Sequence, residues 1–238
     1  MRGELKVITF DVGNTLIFPE PSVGEVYARA AGRHGVTIDS AVVSSRFASA
    51  WRAQQASRSG LVYGRTHGEA RAFWLAVIRS CFADNPQLVA LAPVLVDELY
   101  ATFGRAAAWR LAPEWGQVLQ ACRRRGLRIG LVSNWDIRLR GLLAEFGLLE
   151  VVDSVIISAE YGAEKPDPAI FRFALAELGC LPSEAVHVGD SWQEDVVGAQ
   201  RAGLSAVWYN PDGAFTPERQ PGALVVSALR QIPVLLLD

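Results

Sequence analysis

The chain has 238 residues, 50% of them hydrophobic and 20% charged, so it is long and apolar enough to bury a substantial core. Its formal net charge is only -2 at pH 7, which argues against the broadly basic surface that nucleic-acid binding requires. The one basic run, Arg123-Arg124-Arg125, follows helical apolar spacing and precedes Gly126, so we interpret it as the last turn of an amphipathic helix.

The first apolar run, Val7 to Phe10, is too brief for the core of a signal peptide or for a membrane span. We therefore expect a cytoplasmic protein with no membrane partner. The three cysteines, Cys81, Cys122 and Cys180, are far apart and form no CxxC pair. They predict reduced thiols in apolar surroundings rather than a zinc or redox site.

Short apolar runs alternate with helical spacing over most of the chain. The first run covers residues 5–10, and the later runs cover residues 127–132, 154–158, 185–188 and 204–208. Short apolar runs separated by helices predict an α/β fold with a doubly wound parallel sheet covered on both faces. Ligands of such a sheet bind at the carboxyl ends of its strands.

Residues 18–110 differ from the rest of the chain. They are rich in Ala, Arg, Gln, Trp and Leu at helical spacing, and prolines mark both ends of the segment, Pro19 and Pro21 at one end and Pro113 at the other. The sequence therefore predicts an all-helical insert at residues 18–110 within a discontinuous core of residues 1–17 and 111–238.

Polar residues follow three of the predicted strands at the point where each strand ends. Asp11 follows the first apolar run, Ser133-Asn134 follows the second, and Gly189-Asp190-Ser191 follows a later one, with Asp195 close behind. Lys165-Pro166-Asp167 lies in a loop before a helix. Because the carboxyl ends of parallel strands meet at one edge of a sheet, we expect these groups to converge.

The residue types suit the transfer of a phosphoryl group. A carboxylate such as Asp11 can attack phosphorus or carbon and form a covalent intermediate. A phosphoryl group in transfer needs donors for its oxygens, and Thr15, Ser133, Asn134 and Lys165 supply them.

The same chemistry needs a hard cation with oxygen ligands. Asp190 and Asp195 are close enough in sequence to hold Mg²⁺ together with Asp11. Without a cation, these carboxylates would repel an anionic substrate. His187 lies inside a predicted strand between apolar neighbours, which favours a packed, neutral histidine over a catalytic base. Glu194 is expected to support the site indirectly or to lie on the surface.

The order of the motifs resembles that of the haloacid dehalogenase-like superfamily. The matching residues are Asp11 with Thr15-Leu16, Ser133-Asn134, Lys165-Pro166-Asp167, and Gly189-Asp190-Ser191 with Asp195. The resemblance covers essentially the whole chain, and residues 165–171 are similar to the branch that contains haloacid dehalogenases and phosphoglycolate phosphatase. It implies a Rossmann-like core, a helical cap at residues 18–110, and a hydrolase of a small phosphorylated substrate that uses Mg²⁺ and an aspartyl-phosphate intermediate.

The resemblance also implies roles for individual residues. The catalytic residues are expected to be Asp11, as the nucleophile, with Thr15, Ser133, Asn134 and Lys165. The residues expected to bind substrate are Asn14, Ser133, Asn134 and Lys165. The ligands expected to hold Mg²⁺ are Asp11, the backbone carbonyl of Gly13, Asp190 and Asp195.

One position departs from the pattern of the family. Its phosphatases carry an aspartate two residues after the nucleophile, which protonates the leaving oxygen and later activates water, and this chain has Gly13 there. General acid–base catalysis is worth about 10²–10⁴ in rate, so turnover is expected to be slow or to depend on a surrogate acid such as Glu20 or a cap residue.

Two alternatives to a phosphatase therefore stay open. One is a 2-haloacid dehalogenase, because halide leaves without a proton and such enzymes also lack that aspartate. The acidic fourth motif, Gly189-Asp190-Ser191 with Asp195, argues against it because dehalogenases of this branch use no metal. The other alternative is a non-catalytic binding or regulatory protein that kept the fold and the metal.

Overall fold

The structure, a computed structural model, describes residues 4–58, 60–213 and 222–237. In chain order the strands are β1 (Val7–Phe10), β2 (Ile17–Pro19), β3 (Trp109–Leu111), β4 (Arg128–Ser133), β5 (Ser154–Ile157), β6 (Ala185–Gly189), β7 (Ser205–Tyr209) and β8 (Ala223–Val226). The helices are α1 (Val23–Arg33), α2 (Ser40–Ser57), α3 (His67–Cys81), α4 (Pro86–Thr102), α5 (Trp115–Arg124), α6 (Leu139–Glu145), α7 (Ser158–Tyr161), α8 (Pro168–Leu178), α9 (Gly198–Arg201) and α10 (Gln231–Leu237).

The chain divides into two compact units. Unit 1 comprises Met1–Phe18, Leu111–Asn134 and Gly147–Asp238, and unit 2 comprises Pro19–Arg110 and Trp135–Phe146. The short strands β2 and β3, which form a separate two-stranded sheet, lie where the chain passes from one unit to the other.

Unit 1 has an α/β fold. Across the residues described, its main sheet has six strands in the order β5-β4-β1-β6-β7-β8, all paired in parallel. Counted along the chain within that sheet, this is the order 3-2-1-4-5-6 of a doubly wound Rossmann-type fold. The predicted fold class is confirmed, and β1 lies at the point where the strand order reverses.

The central strands are buried because helices cover both faces of the sheet. All four residues of β1 are buried, and so are all five of β6. Helix α8 packs Ile170, Phe171 and Leu178 into the core cluster of this unit. Edge strand β8, which the sequence analysis did not single out, leaves Leu224 and Val225 exposed.

Unit 2 is built mainly from helices. Helices α1 to α4 share a core whose largest fully buried side chains include Tyr27, Phe82, Leu88 and Leu95. Ser22 and Glu25 form a reciprocal capping box that starts α1. None of the helices described combines the length and apolar composition that a bilayer crossing requires.

Residues 135–146 cluster with unit 2, although the sequence predicts them as part of the core. The buried carboxylate of Asp136 pairs with Arg138 at 2.6 Å and accepts a hydrogen bond from Trp74 Nε1 at 3.0 Å. The Arg138 guanidinium lies 3.8 Å from the ring centre of Tyr100. These contacts attach the segment to α3 and α4, and the role of unit 2 as a cap stays a prediction.

Candidate active site

The first motif lies at the carboxyl end of β1. In the sheet register Phe10 is opposite Leu131 of β4 on one side and Val188 of β6 on the other. The Asp11 N–H continues the ladder by donating to the Val188 carbonyl at 2.9 Å. The residues that follow all three strands therefore emerge at one edge of the sheet, as the sequence predicted.

A tight turn follows Asp11. The Val12 carbonyl accepts hydrogen bonds from the N–H groups of Leu16 and Ile17, at 2.8 and 2.9 Å. Asn14 adopts a left-handed conformation, with φ of 56°, and its side chain is exposed, a conformation that asparagine tolerates better than most residues. The turn buries Thr15, whose hydroxyl lies 3.4 Å from Asp190 Oδ1. Thr15 is thus directed at a carboxylate that the sequence analysis assigned to the metal.

Lys165 lies at the centre of the cluster. Its Nζ donates to Asp11 Oδ1 and to Asp195 Oδ1, at 2.6 Å in each case. The Ser133 hydroxyl also donates to Asp11 Oδ1, at 3.2 Å. All four side chains are buried, so these charges interact in surroundings that screen them much less than bulk water.

Asn134 holds the backbone of Lys165. Its Oδ1 accepts from the Lys165 N–H at 2.7 Å, and its Nδ2 donates to the Lys165 carbonyl at 2.8 Å. A second hydrogen bond from Nδ2 reaches Glu194 Oε2 at 3.1 Å. Because both amide hydrogens are engaged, Asn134 can donate to a substrate only by releasing one of these partners.

The fourth motif ends in an unusual helical turn. Residues Trp192–Val197 form a π-helix, a form that often occurs at functional sites. This turn brings Asp195 against Gly189, where a Cβ atom would lie 2.1 Å from Asp195 Cγ. The Ser191 N–H donates to Asp195 Oδ2 at 2.8 Å, and Trp208 Nε1 donates to the Asp190 carbonyl at 2.9 Å.

Two residues outside the predicted catalytic, substrate-binding and metal-binding sets also contact the site. His187 is fully buried, as predicted, but its Nε2 lies 3.1 Å from Asp195 Oδ1. Burial lowers the pKa of His187, which favours the neutral ring. Glu194 is half-buried, and its Oε2 accepts a hydrogen bond from Asn134 Nδ2. One sequence signal for each residue is its closeness to the fourth motif, since His187 is two residues before Gly189 and Glu194 directly precedes Asp195.

Burial and like charges perturb the acidic residues. Burial raises the pKa of Asp11, and Lys165 opposes that effect. Burial, with the charges of Asp11 and Asp195, raises the pKa of Asp190 to about 8. Burial likewise raises the pKa of Glu194 to about 7.

The pKa values of Asp195 and Lys165 shift in the directions that favour their charged forms. Burial alone would raise the pKa of Asp195, but the adjacent Lys165 and His187 lower it below its usual range. Burial alone would lower the pKa of Lys165, but Asp11 and Asp195 raise it above its usual range. Lys165 is therefore a cation and Asp195 an anion at neutral pH.

The acidic residues fit a divalent metal ion. One carboxylate oxygen each from Asp11, Asp190 and Asp195 lies within 4.8 Å of the others, and hard oxygen ligands suit Mg²⁺. Three carboxylates share a single lysine, and burial together with the charges of Asp11 and Asp195 disfavours the ionised form of Asp190. Asp190 is the least restrained of the three, since its contact with Thr15 is long.

Glu20, which the sequence suggests as a surrogate acid, forms an ion pair with Arg110. Glu20 is exposed and pairs with Arg110 at 3.2 Å, both within unit 2. The carboxylates and the lysine lie at the switch point of a doubly wound sheet, where such folds bind their ligands, and this combination suits an enzyme that transfers an anionic group.

Comparison with known proteins identifies the family. The model of haloacid dehalogenase-like hydrolases matches residues 5–203, and the chain belongs to that family. It is 39% identical to haloacid dehalogenase-like hydrolase domain-containing protein 3 of Mus musculus, over 85% of this chain and 81% of that protein. It is 33% identical to a phosphoserine phosphatase of Thermus thermophilus, over 96% and 98% of the two chains.

A solved structure gives a different functional name on the same fold. The crystal structure of a 2-haloacid dehalogenase from Pseudomonas syringae pv. Tomato is 26% identical, with a TM-score of 0.64, over 98% of each chain. The fold is therefore shared by proteins named as phosphatases and as dehalogenases. The choice between these activities depends on individual residues.

Proposed function

We propose that the chain is a Mg²⁺-dependent phosphatase that hydrolyses a small phosphorylated metabolite through an aspartyl-phosphate on Asp11. The observation that carries the proposal is the buried Lys165 ammonium, 2.6 Å from both Asp11 and Asp195. A fixed ammonium beside the nucleophile supplies positive charge where the phosphoryl oxygens need it during transfer.

In the first step, Asp11 attacks phosphorus while the bond from phosphorus to the leaving oxygen breaks. Ser133 and Lys165 both donate to Oδ1 of Asp11, so we assign the attack to Oδ2. In the second step, water attacks the phosphorus of the aspartyl-phosphate, which releases phosphate and restores the Asp11 carboxylate.

We assign the metal ligands to Asp11, Asp190, Asp195 and the backbone carbonyl of Gly13. When bound there, Mg²⁺ offsets the charge of the phosphoryl oxygens and of the carboxylates. Asp195 already accepts hydrogen bonds on both of its oxygens. Asp190, whose carboxylate has only a long contact with Thr15, is therefore the ligand best placed to contact the ion directly.

Gly13 predicts an unusual dependence on the leaving group. An alkoxide needs a proton to leave, whereas p-nitrophenolate leaves without one. With no aspartate at position 13, an aryl phosphate should be hydrolysed about 10²–10⁴ times faster than an alkyl phosphate. In Gly13→Asp the difference between the rates on aryl and alkyl phosphates should disappear, because the new carboxyl group protonates the alkoxide.

The test measures phosphate release from p-nitrophenyl phosphate and from a panel of sugar and glycolate phosphates, with Mg²⁺ or EDTA. We expect turnover that requires Mg²⁺ and is lost in Asp11→Asn but kept in Asp212→Asn, the same change at an exposed aspartate. Equal rates on aryl and alkyl phosphates would refute the missing-acid argument. No release by the wild type or by Gly13→Asp, despite Mg²⁺ binding in calorimetry, would support a non-catalytic protein instead.

The second candidate function is hydrolysis of a carbon–halogen bond, and it rests on Gly13. Halide leaves as a stable anion, so Asp11 could displace it from a 2-haloacid without a general acid. The geometry of the acidic residues argues against this function, because ligand oxygens of Asp11, Asp190 and Asp195 lie within 4.8 Å of one another and suit a cation. Halide release from 2-haloacids in the presence of EDTA would favour the dehalogenase over the phosphatase.

A further inference from the structure

We propose that His187 is a positioning residue that orients the Asp195 carboxylate, and that Asp195 in turn holds the Lys165 ammonium against Asp11. The inference rests on the proposed function, because it names a residue on which the catalytic lysine depends. It makes no use of His187 as an acid or base.

The sheet places His187 for this contact. Strands β1 and β6 pair in register with Thr9 opposite His187, and the Thr9 hydroxyl lies 2.8 Å from His187 Nδ1. The ring of Phe171 on α8 packs against the imidazole edge to face, with centroids 5.0 Å apart. The ring is therefore restrained on one side by a hydrogen bond and on another by packing.

The opposite nitrogen faces the site. His187 Nε2 lies 3.1 Å from Asp195 Oδ1, and an ionised carboxylate only accepts hydrogen bonds. Nε2 must therefore carry the hydrogen, whatever the charge on the ring. Oδ1 thus has two donors, the imidazole and Lys165 Nζ at 2.6 Å.

If the imidazole is lost, few contacts remain to hold the Asp195 carboxylate in place. The Ser191 N–H holds only Oδ2, and the backbone of Gly189 lies close to one side of the carboxyl group. Without the imidazole, Oδ1 is held by Lys165 alone. Asp195 and Lys165 can then shift together. Removing partners that orient ligand side chains from behind typically costs about 10–100-fold in activity or metal affinity.

The chain offers a direct readout of the lysine that needs no turnover. It contains two lysines, Lys6 and Lys165, and Lys6 is exposed. Selective ¹³C and ¹⁵N labelling of lysine therefore gives two side-chain NMR signals, one from the site and one as an internal control. The variants to compare are His187→Gln, which can still donate from the Nε2 position, and His187→Leu, which cannot.

We expect His187→Gln to keep the Lys165 signal close to its wild-type position. In His187→Leu that signal should shift and broaden while the Lys6 signal stays in place. If His187→Leu does not fold, His187→Asn replaces it, because its shorter amide cannot reach Asp195 and should move the Lys165 signal in the same way. An unmoved Lys165 signal in the folded non-donating variant, or an equal shift in His187→Gln, would overturn the proposal.

Kinetics then separate positioning from simple loss of structure. With p-nitrophenyl phosphate and Mg²⁺, kcat should fall about 10–100-fold in His187→Leu with KM nearly unchanged, and His187→Gln should recover most of the loss. Equal kcat in both variants would contradict the positioning role. If the wild type hydrolyses no phosphate ester, the proposed function fails, and the Lys165 signal still decides whether His187 positions the lysine.

Discussion

Replacing Lys165 with methionine tests whether the site needs the charge of the lysine rather than its packing. The substitution keeps a long, unbranched side chain and removes two charge-assisted hydrogen bonds, each 2.6 Å long. Such bonds contribute about 1.5–3 kcal/mol each, and removing one partner of a buried ion pair costs about 3–5 kcal/mol. We expect the free energy of unfolding to fall by about 3–5 kcal/mol at pH 8.

The loss should depend on pH with a definite sign. Without Lys165, the already raised pKa of Asp11 rises further in the folded protein, and the pKa of Asp195 loses the charge that lowers it and rises towards or above the unfolded value of about 3.9. A carboxyl group whose pKa is raised in the folded state does not lower the free energy of unfolding at low pH, where it is protonated in both states. It lowers that free energy increasingly as pH rises past the unfolded pKa. Lys165→Met should therefore cost less at pH 5 than at pH 8.

Urea unfolding at both pH values, followed by tryptophan fluorescence, measures the effect. The matched control is Lys6→Met, because Lys6 is exposed and pairs with Glu184 on the surface. That substitution should cost less than about 1 kcal/mol. Millimolar Mg²⁺ should restore part of the stability that Lys165→Met loses. A loss that is equal at both pH values and insensitive to Mg²⁺ would refute the electrostatic explanation.

Two further substitutions test one close packing contact in unit 1 and one buried ion pair in unit 2. Gly189→Ala places a Cβ atom 2.1 Å from Asp195 Cγ. The free energy of unfolding should fall by about 1–3 kcal/mol, and the turnover rate should fall at least about tenfold. The control is Gly116→Ala, at a helical position with open space, which should be neutral or stabilising in the same assays. Asp136→Asn removes the charge that pairs with the buried Arg138. Calorimetry should show that the free energy of unfolding falls by about 3 kcal/mol. An unchanged melting temperature would contradict a stabilising role for this ion pair.

The strands of the main sheet were predictable because burial on both faces requires continuous apolar runs. The predicted runs at residues 5–10 and 127–132 overlap β1 and β4 closely. The placement of residues 135–146 in unit 2 was not predictable in this way. It depends on the ion pair of Asp136 with Arg138 and on the contact with Trp74, which involve distant parts of the chain and leave no periodic signal.

The candidate site was predictable in its composition more than in its contacts. The convergence of Asp11 and Ser133 follows from strand ends that meet at one edge. The hydrogen-bond partners of Asn134 and Thr15 were not predictable from the sequence. Their residue types suggest that they donate to a substrate, whereas in the structure Asn134 contacts the backbone of Lys165 and Thr15 lies near Asp190. Hydrogen-bond partners depend on register and on the path of loops, and residue type alone fixes neither.

The four motifs are connected through one side chain. Asn134 holds the backbone of Lys165, Asp195 and Asp11 hold its ammonium group, and His187 holds Asp195. A displacement at any of these contacts reaches the nucleophile through the same lysine, so the energetic effects of substitutions along this network are coupled rather than independent. The wide spacing of the motifs in the sequence therefore has a physical basis, because each strand end and loop supplies one restraint on a single buried cation.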